Sequence, residues 1–239
     1  MCSLFGDRDM NDLIQTQTYD YTIPSAQERN RVLRNTYWLL AISMLPTVLG
    51  AWLGVATGLS YALSGGLGVI LFFAGAFGFI YAIERTKESS TGVYVLLGFT
   101  FFMGIMLSRM IAMVLGFKNG TELVMLAFGG TAGVFFCMAS LATVIKRDLS
   151  GMGKWLFVGA MVLMVGSIIN LFVGSSAGMV VISMLSIGIF SAFMLYDVKR
   201  VIDGGETNYI SATLALYLNI INVFQSLLAL LGIFGGDRD

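Results

Sequence analysis

The sequence predicts an all-α integral membrane protein of seven transmembrane helices, with the N-terminus cytoplasmic and the C-terminus extracytoplasmic. Three observations carry this. Of 239 residues, 57% are hydrophobic and only 12% charged, against about 25% charged in soluble domains. The charges leave long stretches empty, each long enough for one or two spans of about 20 residues. The Lys and Arg residues between those stretches fall mostly on one side.

The charge-free stretches define the helices in order. Residues 35–83 hold two, divided at Gly58, Ser60, Ser64, Gly65 and Gly66. Helix one is expected at about 36–57 and helix two at about 66–83. Helix three is expected at about 91–107 and helix four within 123–145. Residues 155–196 hold helices five and six, parted by Gly174-Ser175-Ser176-Ala177-Gly178, and helix seven is expected at about 209–233. Residues 1–30 read as a flexible cytoplasmic tail ahead of a membrane domain over 31–236. No signal peptide is visible, so the first membrane helix is expected to direct insertion.

Orientation follows from the cations. Arg8, Arg29, Arg31, Arg34, Arg85, Lys87, Lys146, Arg147, Lys154, Lys199 and Arg200 share one side; Arg109, Lys118 and Arg238 share the other. The richer side is the cytoplasmic one. Lys+Arg and Asp+Glu are equal at 14 each, so no net field points to nucleic acid. There is no histidine. A Ser–His dyad or an H-E-x-x-H zinc site is therefore impossible, and neither enzyme activity, nor a metal, nor a cofactor is expected. Cys2 and Cys137 are too far apart in sequence and depth to be read as a disulfide.

Small residues repeat every four positions at Gly50, Gly54 and Gly58, and at Gly129 and Gly133, a spacing that permits close helix crossing. In helix seven, Ser211, Ala215, Asn219, Asn222 and Ser226 form one small, polar stripe. Polar groups in hydrocarbon usually face the bundle interior. Interhelical hydrogen bonding is the favoured reading of this stripe, and an ion pathway or sensor the sharper one. Asp197, near the cytoplasmic end of helix six, is the best ionisable candidate. Arg200 lies three residues on and on the same face, and Arg85 is a second possible charge partner. Gly204-Gly205 suits a C-cap, and Thr207 or Asn208 an N-cap for helix seven. Arg109, at the far end of helix three, is expected to snorkel to the interface.

Several stretches resemble the Bax inhibitor-1 family, particularly its bacterial YccA-type branch. They are Val32-Leu33-Arg34-Asn35-Thr36-Tyr37, Gly129-Gly130-Thr131-Ala132 with Val134-Phe135-Phe136-Cys137, and Asn170-Leu171-Phe172. The last loop and helix seven add Gly204-Gly205-Glu206-Thr207-Asn208-Tyr209-Ile210, Leu216-Tyr217 and Asn222-Val223-Phe224. The resemblance implies a bundle with helix seven at its centre. It further implies a proton-sensitive calcium or cation leak whose sensor is an aspartate pair on helices six and seven. Asp197 matches the first position; the second is Asn219 here. The YccA-type branch implies instead a poorly degraded protein that restrains the membrane-anchored AAA+ protease FtsH.

Overall fold

The computed structural model describes residues 25–59 and 66–236. Residues 1–24 of the expected tail, and most of the expected turn between helices one and two, lie outside the described residues. The rest is all-helical: α1 (Ala26–Ala56), α2 (Gly66–Thr86), α3 (Thr91–Leu115), α4 (Gly120–Val144), α5 (Met152–Val173), α6 (Ser176–Ile202) and α7 (Tyr209–Phe234). All seven are long and apolar enough to cross a membrane.

Two helices run well past the stretches that predicted them. α1 begins ten residues before the expected start at 36. Ser25 caps it by accepting from the Glu28 backbone N–H while the Glu28 carboxylate accepts from the Ser25 backbone N–H. This capping box satisfies two amides that would otherwise lack partners, so the polar turns of 26–34 continue the helix. α3 continues to Leu115, which places Arg109 inside the helix, exposed on its surface. Apolar runs mark where lipid begins and ends, not where backbone hydrogen bonding stops.

The caps follow local chemistry. Gly174 ends α5 with a left-handed φ of 67°, and Gly204 follows α6 with φ 82°, conformations that cost glycine little. Of the two candidate N-caps for α7, Asn208 is the one used. Its side-chain oxygen accepts from the Ile210 and Ser211 amides. Its amide nitrogen donates to the Lys87 carbonyl at 2.9 Å and so fastens the α2–α3 loop to the start of α7.

Packing is closest between α1 and α3. A Cβ on Gly104 would lie 2.1 Å from the Thr47 carbonyl oxygen, and one on Gly50 2.2 Å from that of Phe101. Gly54 sits equally tightly against the Ser108 side chain. The expected small-residue seam is therefore real for Gly50 and Gly54. Gly58 lies beyond the helix end with φ 69° and open space around it. Gly129 and Gly133 do not follow the expectation: each is exposed, with nothing within 4 Å of an added Cβ. Their spacing defines a face, but that face points outward; the neighbouring Gly130 instead faces Leu227 of α7.

α7 packs against α6, α4, α1, α3 and α2, and half of its apolar window is buried, the largest share of the seven. The outer surface is apolar, with Val162, Leu171 and Phe172 of α5 among its exposed side chains, as a lipid-facing surface requires. The α1–α3 contact gives a direct test. Gly104→Val is expected to destabilise the bundle by at least about 1–3 kcal/mol, the usual cost of overpacking. Gly133→Val should leave thermal unfolding in detergent unchanged. Equal effects at both positions would contradict the placement of these helices.

Candidate functional site

Asp197 stands five residues before the end of α6 and is half-buried. Asn219, one of the buried polar residues of α7, donates from its side-chain nitrogen to Asp197 Oδ2 at 2.7 Å. Helical geometry explains the meeting. α6 and α7 form an antiparallel pair joined by a short loop, so a residue near the end of one faces a residue some way into the other. A carboxylate inside a span needs a donor, because no water supplies one there.

Neither expected charge partner forms an ion pair with Asp197 among the described residues, although the charge of Arg200 acts on it from a distance. Arg200 Nη2 lies 3.5 Å from Glu206, and its Nε donates to the Gly205 carbonyl. Arg85 donates to the Tyr81 hydroxyl at 3.1 Å and lies over the Tyr81 ring. Lys199 is buried and pairs with Asp203 at 2.7 Å.

The polar stripe of α7 divides. Among the described residues, Asn219 alone of the stripe reaches another helix through a side-chain hydrogen bond. Asn222 donates to its own Leu218 carbonyl, and Ser226 to that of Asn222. The Ser211 hydroxyl is buried without a partner among the described residues. Side chains outside the stripe make a further crossing that joins three helices. The Tyr217 and Thr47 hydroxyls share a hydrogen bond of 2.9 Å, and Tyr217 O–H lies 3.3 Å from the Thr100 carbonyl. α7, α1 and α3 thus meet at one buried phenol, whose ring also packs edge-on against Phe99. Thr213 adds a second approach, 3.3 Å from the Thr36 carbonyl. The sequence carries one signal for this junction: Thr36, Ser43, Thr47, Gly50 and Gly54 recur at helical spacing on α1.

Chemically, the Asp197–Asn219 pair offers one carboxylate whose partner presents a donor to it. Calcium takes 6–8 oxygen ligands. Among the described residues no three His, Cys, Asp or Glu side chains gather into a metal-holding group. The hydrogen bond joins α6 to α7.

The family model described as inhibitor of apoptosis-promoting Bax1 matches residues 29–236. This chain belongs to the Bax inhibitor-1 family. Bacterial relatives of the family align over nearly its whole length. An uncharacterised protein of Neisseria meningitidis is 36% identical over 94% of this chain and 100% of its own. The modulator of FtsH protease YccA of Escherichia coli K12 is 33% identical over 95% of this chain and 100% of its own. In a second Escherichia coli strain the corresponding protein is named inner membrane protein YccA. With seven apolar helices of spanning length, this Bax inhibitor-1 protein is a multi-pass inner-membrane protein.

The junction and the pair are separable by mutation. Tyr217→Phe and Thr47→Val should each lower thermal stability in detergent, and the double variant should lose less than the sum. The coupling energy expected is about 0.6 kcal/mol and at most about 1.7. Asn219→Ala, which strips the donor from Asp197, should cost about 1–3 kcal/mol. Strict additivity of the first two would mean that their hydrogen bond contributes nothing.

Proposed function

We propose that this protein is a slow substrate and modulator of a membrane-anchored AAA+ protease of the FtsH kind, acting without chemistry of its own. The observation that carries this reading is the 33% identity, over 95% of the chain, to a relative named as a modulator of that protease. Mechanically, such a protease threads an unfolded segment and then pulls helices from lipid. The proposed handle is the tail. The 24 residues ahead of the Ser25 cap would reach about 80 Å at most if extended, ample for engagement in the cytoplasm. The helix reached next is α1, and α1 is the one seated against Gly104 and hydrogen-bonded to Tyr217. A chain engaged easily and extracted slowly would occupy the protease and restrain its work on other substrates.

The proposal includes the topology, N-terminus cytoplasmic and C-terminus outside, and a central α7 wrapped by the other helices. The asymmetry of Lys and Arg supports the first. The burial of α7 and its five packing neighbours support the second.

The alternative is a pH-sensitive calcium or cation leak gated through Asp197 with Asn219. It rests on the placement of a hydrogen-bonded carboxylate within the span. Flux measured in proteoliposomes decides it: a leak should lose its pH dependence in Asp197→Asn, and absence of flux in the parent removes this reading.

Two outcomes are expected of the main reading. A reporter fused after Asp239 should respond as extracytoplasmic and one fused after Arg147 as cytoplasmic; the reverse pattern would overturn the orientation. Deleting residues 2–24, which spares the Ser25 cap, should preserve insertion and lengthen the protein's lifetime in cells that hold the protease. If the truncated protein inserts but decays as fast as the parent, and both decay equally without the protease, the tail is not the handle.

A further inference from the structure

The cytoplasmic end of α1 carries two adjoining recesses that neither the bundle packing nor the Asp197–Asn219 pair uses. The larger is a groove of about 500 Å³ running along the helix. Two rows of residues at helical spacing form it: Asn30, Arg34 and Trp38 on one side, and Leu33, Tyr37 and Ala41 on the other. The Tyr37 ring packs edge-on against Phe135 of α4, 6.0 Å between centroids, so the groove lies where α1 meets α4 through aromatic rings. The smaller recess, about 230 Å³, shares Asn30 and Leu33 with the first and adds Arg29 and Ile202.

Charge and polarity change along this path. Trp38 is 66% exposed and, with Tyr37 and Ala41, gives the inner end an apolar wall. The outer end holds two guanidinium groups, and among the described residues no carboxylate lines either recess. Arg29 donates from Nη1 to the Ile202 carbonyl at 3.3 Å, yet its buried Nε–H has no partner among the described residues. A buried donor of a charged group left unpaired is costly, and the guanidinium, only partly buried as a whole, could turn to meet an anionic oxygen. Arg34 is exposed one turn from Trp38, and tryptophan is enriched at the membrane interface, beside headgroup phosphates.

We propose that this end of α1 is a binding site for one anionic phospholipid, with its headgroup phosphate between Arg29 and Arg34 and the start of an acyl chain along Leu33, Tyr37, Trp38 and Ala41. The apolar wall selects a lipid over free phosphate, and two arginines in adjoining recesses, with no acid lining either among the described residues, select an anionic headgroup over a zwitterionic one. Guanidinium groups favour phosphate because they present several donors in a fixed fork.

The test uses the full-length protein, delipidated in detergent and offered equimolar phosphatidylglycerol and phosphatidylethanolamine, with retained lipid counted by native mass spectrometry. Phosphatidylglycerol should be retained preferentially. Arg34→Gln and Arg29→Gln should each reduce its binding roughly fivefold, about what one cation near a charged membrane surface contributes. Phosphatidylethanolamine binding should not change, Arg34→Lys should keep most of the preference, and Arg109→Gln should keep all of it. Millimolar inorganic phosphate should fail to displace the lipid. Equal retention of the two lipids in the parent, displacement by phosphate, or an equal loss in Arg109→Gln would each overturn the proposal. Should Arg29→Gln fold poorly for want of its bond to Ile202, the exposed Arg34 carries the test by itself.

Discussion

The contact on which the rest of the bundle depends is the approach of the α3 backbone to the α1 backbone at Gly104. No side chain fits there, since a Cβ would stand 2.1 Å from the Thr47 carbonyl oxygen. In lipid, helices gain little from hiding apolar surface from one another, because the tails are as apolar as leucine. Close packing and hydrogen bonds must hold them. Gly104 supplies the first at the residue that supplies the second: the hydroxyl of the same Thr47 meets Tyr217. Moving α3 outward by one methyl group would therefore loosen two helix contacts at once. α7 then builds on this pair of helices and carries Asn219 to Asp197.

Much of this was legible from residue type alone, and the limits have physical causes. The seven spans follow from where charge is excluded, since an ionised side chain in hydrocarbon is expensive enough to leave a gap in the sequence. The helix start at Ala26 is not legible that way, because a polar helical turn needs only a cap and hydrogen bonds, and the end at Leu115 is hidden by Arg109, a single charge that interrupts an apolar run resuming to Leu115. The spacing of Gly129 and Gly133 identified a face of α4 but not its direction, and that face is turned outward. Ser211, Asn222 and Ser226 share a stripe with Asn219, but serine and asparagine in helices can satisfy themselves on a carbonyl one turn back, as the latter two of these three do. Tyr217 was missed because its partner Thr47 lies 170 positions away. Asp197 stood out by itself; its pairing with Asn219 came from the family resemblance, not from any local pattern.

These features bear on function through the order in which helices are reached. A protease that enters from the N-terminal side meets α1 first, and α1 contributes both to the tightest backbone contact and to the buried phenol junction. Resistance to extraction would then be concentrated at the first step, before any apolar helix has been lost. An easily removed α1 would instead make the protein an ordinary substrate. The N-terminal end of the same helix bears the basic groove, so the proposed protease handle and the proposed lipid site would be continuous.

The most direct measurement is degradation by a purified FtsH-type protease in proteoliposomes, with ATP and a second membrane substrate present. The account predicts that the parent is degraded slowly and slows the second substrate, and that Gly104→Val is degraded faster and releases the protease from that restraint. Degradation of the parent as fast as the second substrate, with no slowing of the latter, would contradict it.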